Sequence, residues 1–140
     1  MSPEGKKELD KIRKVRGYTL PVHDTLADLN PEFLRRYGEL ASHVLFGPAE
    51  GRALDLKTRF LVLIGVTTAV KGDPEGMEWS VVRALKAGAT WDEVREAAFM
   101  AALPAGIPAF EKACLTFNLL EKNKGMVAQD VSIVKAAQKS

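Results

Sequence analysis

The chain has 140 residues, of which 46% are hydrophobic and 27% are charged, and its formal net charge is +2. A chain of this length accommodates one globular domain, which buries roughly two thirds of the surface that the unfolded chain exposes. The composition is typical of a soluble protein. Since a nucleic-acid-binding domain usually carries a strongly basic face, the near-neutral charge predicts no nucleic-acid partner.

Neither a membrane segment nor a secretion signal is expected. The longest apolar run, residues 60–70, includes Gly65, Thr67 and Thr68 and is shorter than the ~20 apolar residues that a membrane helix needs. No apolar segment follows the charged N-terminus, so we expect no signal peptide. Cys114 is the single cysteine and cannot form an internal disulfide, which fits a reducing compartment. We therefore predict a cytoplasmic protein without a membrane partner.

The N-terminal segment is basic. Residues 1–20 contain six basic and three acidic side chains, a balance of +3 that leaves −1 for the other 120 residues. Helix-forming residues run from Pro3 to Arg16, and Gly17 is a typical helix stop. We predict a solvated basic helix over residues 1–17. A connector follows at residues 18–29, extended before Pro21, in which residues 23–29 could form a single helical turn.

The middle of the chain predicts further helices in succession. Asn30 precedes Pro31 and is a good N-cap, and apolar residues at helical spacing follow as far as Val44. Asp55 is the expected N-cap of an apolar helix over residues 56–70, which should be central and buried. Gly65 within that helix indicates close backbone packing, because glycine weakens a helix interior.

The remaining elements are also helical. A helix opens at Pro74 or Glu75 and stops before Gly88, and a capping box of Thr90 and Glu93 starts the next one. A long helix is predicted from Ala109 to Lys122. Residues 124–140 form a C-terminal tail with weak amphipathic spacing. The pattern predicts an all-α fold of about six helices in a single domain over residues 1–140.

Several motifs resemble those of the carboxymuconolactone decarboxylase and alkylhydroperoxidase D family across roughly residues 20–120. They are Leu54-Asp55-x-Lys57-x-Arg59, the run Ala84-Leu85-x-Ala87-Gly88-Ala89-Thr90 with Trp91-Asp92-Glu93-Val94, and Ala105-Gly106-Ile107-Pro108. The resemblance implies a helical bundle that assembles as trimers or hexamers, with active sites near subunit contacts. It therefore predicts that the chain's main partner is itself.

The break between the two central helices departs from the family pattern. Redox members carry Cys-x-x-Cys followed by a histidine here. The resemblance places the two cysteines near Asp73 and Gly76 of this chain, and the histidine at Ser80, or at Trp79 if the break is one residue shorter. A thiol peroxidase needs a thiolate, a resolving thiol and a group that lowers the first pKa. The decarboxylating members also rely on a histidine in this region. In addition, Phe60 stands where family members usually have an acidic residue.

Five residues remain as candidates for a site. Glu78 and Ser80 lie in the segment where other family members carry their reactive cysteines and histidine, and they are the candidate catalytic residues. Glu78 is a candidate because a buried carboxyl can act as a general base near neutral pH. Arg59, His43 and Trp79 are the candidate substrate-binding residues. Each also has a structural interpretation: Arg59 as a surface ion-pair partner, His43 as a boundary residue, and Trp79 as a core residue.

No metal or cofactor is predicted. His23 and His43 are distant from each other and lack a matching cluster of cysteine or carboxylate ligands. Asp24 could instead orient the ring of His23. Cys114 lies among apolar neighbours and is predicted to pack as a small hydrophobe.

Three functional hypotheses follow. In the first, the chain is a family member without a thiol redox centre that binds or transforms a small organic molecule near subunit contacts. Any enzymatic activity would then be lyase-like, decarboxylase-like or proton-transferring. The second hypothesis is an alkylhydroperoxidase-like peroxiredoxin activity, against which the missing cysteines argue. The third is a non-catalytic oligomeric binding or scaffold protein.

Overall fold

The computed structural model describes residues 1–48 and 50–122, and the regular secondary structure of these residues is entirely helical. The predicted all-α fold class is confirmed, and these residues contain no strand. The predicted C-terminal tail lies outside the described residues. The helices are α1 (Pro3–Arg16), α2 (Pro21–Leu29), α3 (Pro31–Ala41), a π-helical turn (Ser42–Phe46), α4 (Leu56–Ala69), α5 (Pro74–Lys86), α6 (Trp91–Met100), α7 (Ala102–Ala105) and α8 (Ile107–Lys122).

The chain divides into two compact units, Met1–Arg52 and the part from Ala53 onward. In the N-terminal unit, α1, α2 and α3 pack against one another around a core of Leu9, Ile12, Ala27 and Leu34. The backbones of α1 and α2 come very close at Gly5, where an added Cβ would lie 2.2 Å from the carbonyl oxygen of Ala27. Only glycine fits there.

The C-terminal unit is built around α4 and α5. Helix α4 packs against α5, α6 and α8, and α5 also packs against α8. The predicted close packing at Gly65 is confirmed, since an added Cβ would lie 3.0 Å from the carbonyl oxygen of Ala97 on α6. No helix among residues 1–48 and 50–122 is long and apolar enough to cross a membrane.

The predicted helix caps are confirmed. The Asn30 side chain accepts a hydrogen bond from the Phe33 amide at 3.0 Å, and the Asp55 side chain accepts one from the Thr58 amide at 2.8 Å. Thr90 and Glu93 form both bonds of the capping box. Gly17 and Gly88 have positive φ angles, as helix-ending glycines often do.

Three local expectations were wrong. Residues 21–29 form a full helix rather than a connector, because the His23 ring caps it by accepting a hydrogen bond from the Leu20 amide at 2.9 Å. Arg16 is only 4% exposed, so the basic N-terminal helix is not solvated throughout. Helix α4 is not buried on all sides, since Val62 and Val66 are about half exposed.

Gly5→Ala should destabilise the protein by about 1–3 kcal/mol, as overpacking of a closely packed site generally does. The added methyl group would push α2 away from α1. Gly38→Ala is the matched control, because its Cβ would meet only the Ile12 side chain at an ordinary 3.5 Å. Urea unfolding of both variants checks this, and equal free energies of unfolding for the two would contradict the close approach.

Candidate functional site

Helix α5 carries the candidate catalytic residues Glu78 and Ser80. Its start is fixed by Asp73, whose carboxylate accepts a hydrogen bond from the Gly76 amide at 3.1 Å, and by Pro74 at the first helical position. The four consecutive residues from Trp79 to Val82 are all buried. A polar group within or next to this four-residue segment therefore lies in surroundings with little water.

Glu78 is a half-buried carboxylate on α5. Burial raises the pKa of its carboxyl above the ordinary value of 4.5, and the negative charges of Glu75 and Asp73 raise it further. All three causes disfavour the ionised form. A carboxyl in such surroundings is suited to accept or donate a proton closer to neutral pH.

Trp79 and Ser80 follow Glu78 in the chain, and both are buried. The Ser80 hydroxyl donates a hydrogen bond to the Gly76 carbonyl oxygen one turn earlier, at 2.8 Å. Its proton is thus held by the backbone, and a ligand would meet it as an acceptor. Trp79 is fully buried, in agreement with its structural interpretation as a core residue.

Arg59 lies on α4, the helix that packs against α5. The residue is 8% exposed, so its interpretation as a surface residue is wrong. Its Nε donates to the Asp55 carbonyl oxygen at 3.4 Å, at the N-terminus of the same helix. Nearby, the ammonium of Lys57 pairs with the Glu93 carboxylate at 3.1 Å and ties α4 to the start of α6. The structure thus places Arg59 and Glu78 on two adjacent helices.

The histidines belong to the N-terminal unit. His43 is exposed on the π-helical turn, and its role in substrate binding stays a prediction. His23 is fully buried, and Asp24 does not orient its ring. The ring instead contacts the Leu20 amide and the guanidinium of Arg16. The sequence offered no signal for this pairing, because seven residues and a helix boundary separate Arg16 from His23.

Cys114 is half-buried on α8. Burial raises the pKa of its thiol, and the charge of Glu111 raises it further. Both effects keep the sulfur protonated and poorly nucleophilic. Among residues 1–48 and 50–122, no group of three or more histidine, cysteine, aspartate or glutamate side chains could hold a metal ion.

Comparison with known families accounts for this arrangement of helices. The profile of the carboxymuconolactone decarboxylase family matches residues 31–117, more than half of the chain. The chain belongs to this family. Helices α4, α5 and α6, with Arg59 and Glu78, all lie within the matched region, whereas α1 and α2 precede it.

A solved structure supports the fold. The chain is similar to the crystal structure of a protein from Burkholderia xenovorans LB400, provisionally named a carboxymuconolactone decarboxylase. The TM-score is 0.71 at 24% sequence identity, and the similarity covers 87% of this chain and 94% of that one. None of the curated proteins compared with the chain matches it. At this identity, the likeness establishes the carboxymuconolactone decarboxylase fold and leaves the activity open.

Replacing Glu78 should change stability in a pH-dependent way. Folding raises the pKa of Glu78 above 4.5, so ionising this carboxyl destabilises the folded state. The loss of stability appears as the pH rises from the pKa of the unfolded chain to the higher pKa of the folded protein. Glu78→Gln is uncharged at every pH. The difference in free energy of unfolding, Glu78→Gln minus wild type, should therefore be larger at pH 7 than at pH 4.

Urea unfolding at the two pH values measures this gain. The exposed Glu96 on α6 provides the control variant Glu96→Gln, for which we expect no comparable gain. A Glu78→Gln gain that is the same at pH 4 and pH 7 would contradict the raised pKa.

Proposed function

We propose that this member of the carboxymuconolactone decarboxylase family binds a small organic molecule and transforms it by proton transfer, without a thiol redox centre. Glu78 is the proposed proton acceptor and donor. Arg59, on the adjacent helix, is the proposed partner for a negatively charged group of the ligand. Ser80 and Trp79, on the same helix as Glu78, are proposed as further contacts.

The observation that carries the proposal is the environment of Glu78. A carboxyl that is half-buried beside Glu75 and Asp73 has a raised pKa, which is how proteins adapt a carboxyl to acid–base catalysis. Glu78 also lies one or two residues before the position, Trp79 or Ser80, where the resemblance places the family's histidine. A carboxyl group that can carry a proton therefore lies close to the position of the missing histidine.

A peroxidase-like function is less favoured. Cys114 is the single sulfhydryl of the chain, and the pKa of its thiol is raised, whereas a peroxidatic cysteine needs a lowered one. A second thiol that would resolve a sulfenic acid is missing from the sequence.

Carboxymuconolactone is the first probe, because the family takes its name from the decarboxylation of this compound. We expect the wild type to bind and transform it, and Glu78→Gln to slow turnover by about a hundredfold or more, as loss of a general acid–base group typically does. Cys114→Ala and Glu96→Gln should keep wild-type rates. Ultraviolet absorbance of the lactone follows the reaction.

Two experimental outcomes would contradict the proposed proton-transfer function. Turnover of cumene hydroperoxide with dithiothreitol that Cys114→Ala abolishes would overturn the proposal in favour of a thiol peroxidase. Binding of the lactone without turnover, unchanged in Glu78→Gln, would remove the proton-transfer role and favour a non-catalytic binding protein.

We also propose that the chain associates with itself through an apolar face of the C-terminal unit. On α4 and just after it, Val62, Val66 and Val70 recur at a spacing of four residues and are 51–70% exposed. A shallow groove of about 420 Å³ lies beside them, bordered by Met100 and Pro104. Exposed apolar surface of this kind is typical of protein–protein contacts.

Val66→Glu should therefore shift the protein toward smaller assemblies, because a carboxylate would be buried in the contact. Native mass spectrometry measures the masses directly, and we expect a trimer or hexamer for the wild type. Val22→Glu, at an exposed apolar position on α2, is the control and should keep the wild-type mass. A monomeric wild type would contradict this proposal.

A further inference from the structure

The start of α2 is held by a buried histidine. Leu20 is the N-cap of this helix and Pro21 is its first residue, so His23 is the third residue after the cap. A glutamate or glutamine at that position often accepts a hydrogen bond from the N-cap amide. Here the His23 ring takes this role, since its Nδ1 lies 2.9 Å from the Leu20 amide nitrogen. The helix start therefore depends on an acceptor that is lost when the side chain gains a proton.

Both groups that approach the nitrogens of the His23 ring are hydrogen-bond donors. One is the Leu20 amide, and the other is the guanidinium of Arg16 on α1, whose Nη1 lies 3.2 Å from His23 Nε2. A neutral imidazole has one acceptor nitrogen and can accept from one of these donors, whereas an imidazolium can accept from neither. Protonation therefore removes the acceptor of the Leu20 amide and places a second positive charge beside Arg16.

The neighbouring helices do not neutralise this second charge. His23 is fully buried and Arg16 is 4% exposed. Helix α2 packs against α1 and α3, and α3 presents the ring of Tyr37, whose centre lies 5.6 Å from that of the His23 ring. Asp24, on α2 itself, is exposed to water. None of the ion pairs in the part of the chain that the structure describes includes His23 or Arg16, so two buried like charges would repel each other with little screening.

We propose that His23 is an acid-sensitive cap: protonation of its ring releases the start of α2 from α1 and opens the N-terminal unit, while the C-terminal unit stays folded. Opening would uncover the core residues Ala27 and Leu34, which are fully buried in the closed unit. The groups that carry this inference all belong to the N-terminal unit. It therefore stands or falls independently of the proposed function, which rests on α4 and α5.

The direction of the pH dependence follows from the pKa of His23. Burial, and then the charge of Arg16, lower this pKa from 6.5 to about 4. Folding thus favours the neutral ring, and the stability that this preference provides is complete above pH 6.5 and is lost as the pH falls toward 4. Because the ring regains its ordinary pKa in the open unit, opening should be about twentyfold more favourable at pH 5 than at pH 7.

Amide hydrogen exchange, followed by nuclear magnetic resonance on the full chain, measures this opening. The protection factors of Leu20 and Ala27, corrected for the intrinsic effect of pH on exchange, should fall about twentyfold from pH 7 to pH 5. The Val81 amide, in the C-terminal unit, should keep its protection factor. In His23→Gln, the fall should disappear, because a glutamine oxygen accepts at both pH values. His43→Gln, at an exposed position on the π-helical turn, is the control and should behave like the wild type.

Chemical shifts of the wild type give a readout that does not depend on whether His23→Gln folds. The amide signal of Leu20 should change with the same midpoint as the ring signals of His23, at about pH 4. A Leu20 signal that stays constant while the ring titrates would overturn the proposal. Unchanged protection of Ala27 at pH 5, or an equal fall in His23→Gln, would also overturn it. So would an equal fall at Val81, because acid would then loosen the whole chain.

Discussion

Burial of α5 around nearly its whole circumference is the constraint on which the C-terminal unit depends. Successive residues of an α-helix point about 100° apart, so the four consecutive buried side chains from Trp79 to Val82 face almost every direction. Packing of this kind requires neighbours on several sides, and α4 and α8 provide two of them. A carboxylate next to this segment is deprived of water, which is why the pKa of Glu78 is raised.

The elements that could be predicted from sequence are those controlled by local chemistry. The caps at Asn30, Asp55 and Thr90 were correct because a short side chain bonds an amide three residues on, whatever the rest of the protein does. The helix over residues 21–29 was missed because its start is capped by an imidazole, an unusual group for that position.

The errors in burial have a different origin. Arg16 was counted with the solvated basic residues, since charge normally keeps a side chain in water. The packing of α1 against α2, α3 and the π-helical turn encloses it. In the same way, the apolar sequence of α4 correctly indicated that most of its surface avoids water, yet it did not reveal that the described residues leave Val62 and Val66 half exposed. Which neighbour covers a face is a property of tertiary structure.

The candidate site was located from sequence by its motifs, but its physical character required coordinates. Asp73, Gly76 and Ser80 showed that the family's thiols and histidine are absent. The structure adds that the Ser80 hydroxyl donates its hydrogen bond to a backbone carbonyl oxygen and that Arg59 is buried on the adjacent helix. The proposed function therefore depends on the surroundings of an ordinary carboxyl, and not on a rare residue type.

The π-helical turn at the end of α3 determines whether the Phe46 ring meets Arg16. Removing one residue from a helical turn rotates everything beyond it by about 100°, and π-helical turns are typically single insertions within an α-helix. Phe46 is the last residue of this turn and lies over the guanidinium. Deleting one residue between residues 42 and 46 would therefore turn the Phe46 side chain away from Arg16 while leaving every other helix the same length. The number of residues in this turn is as much a part of the Arg16 environment as their identity.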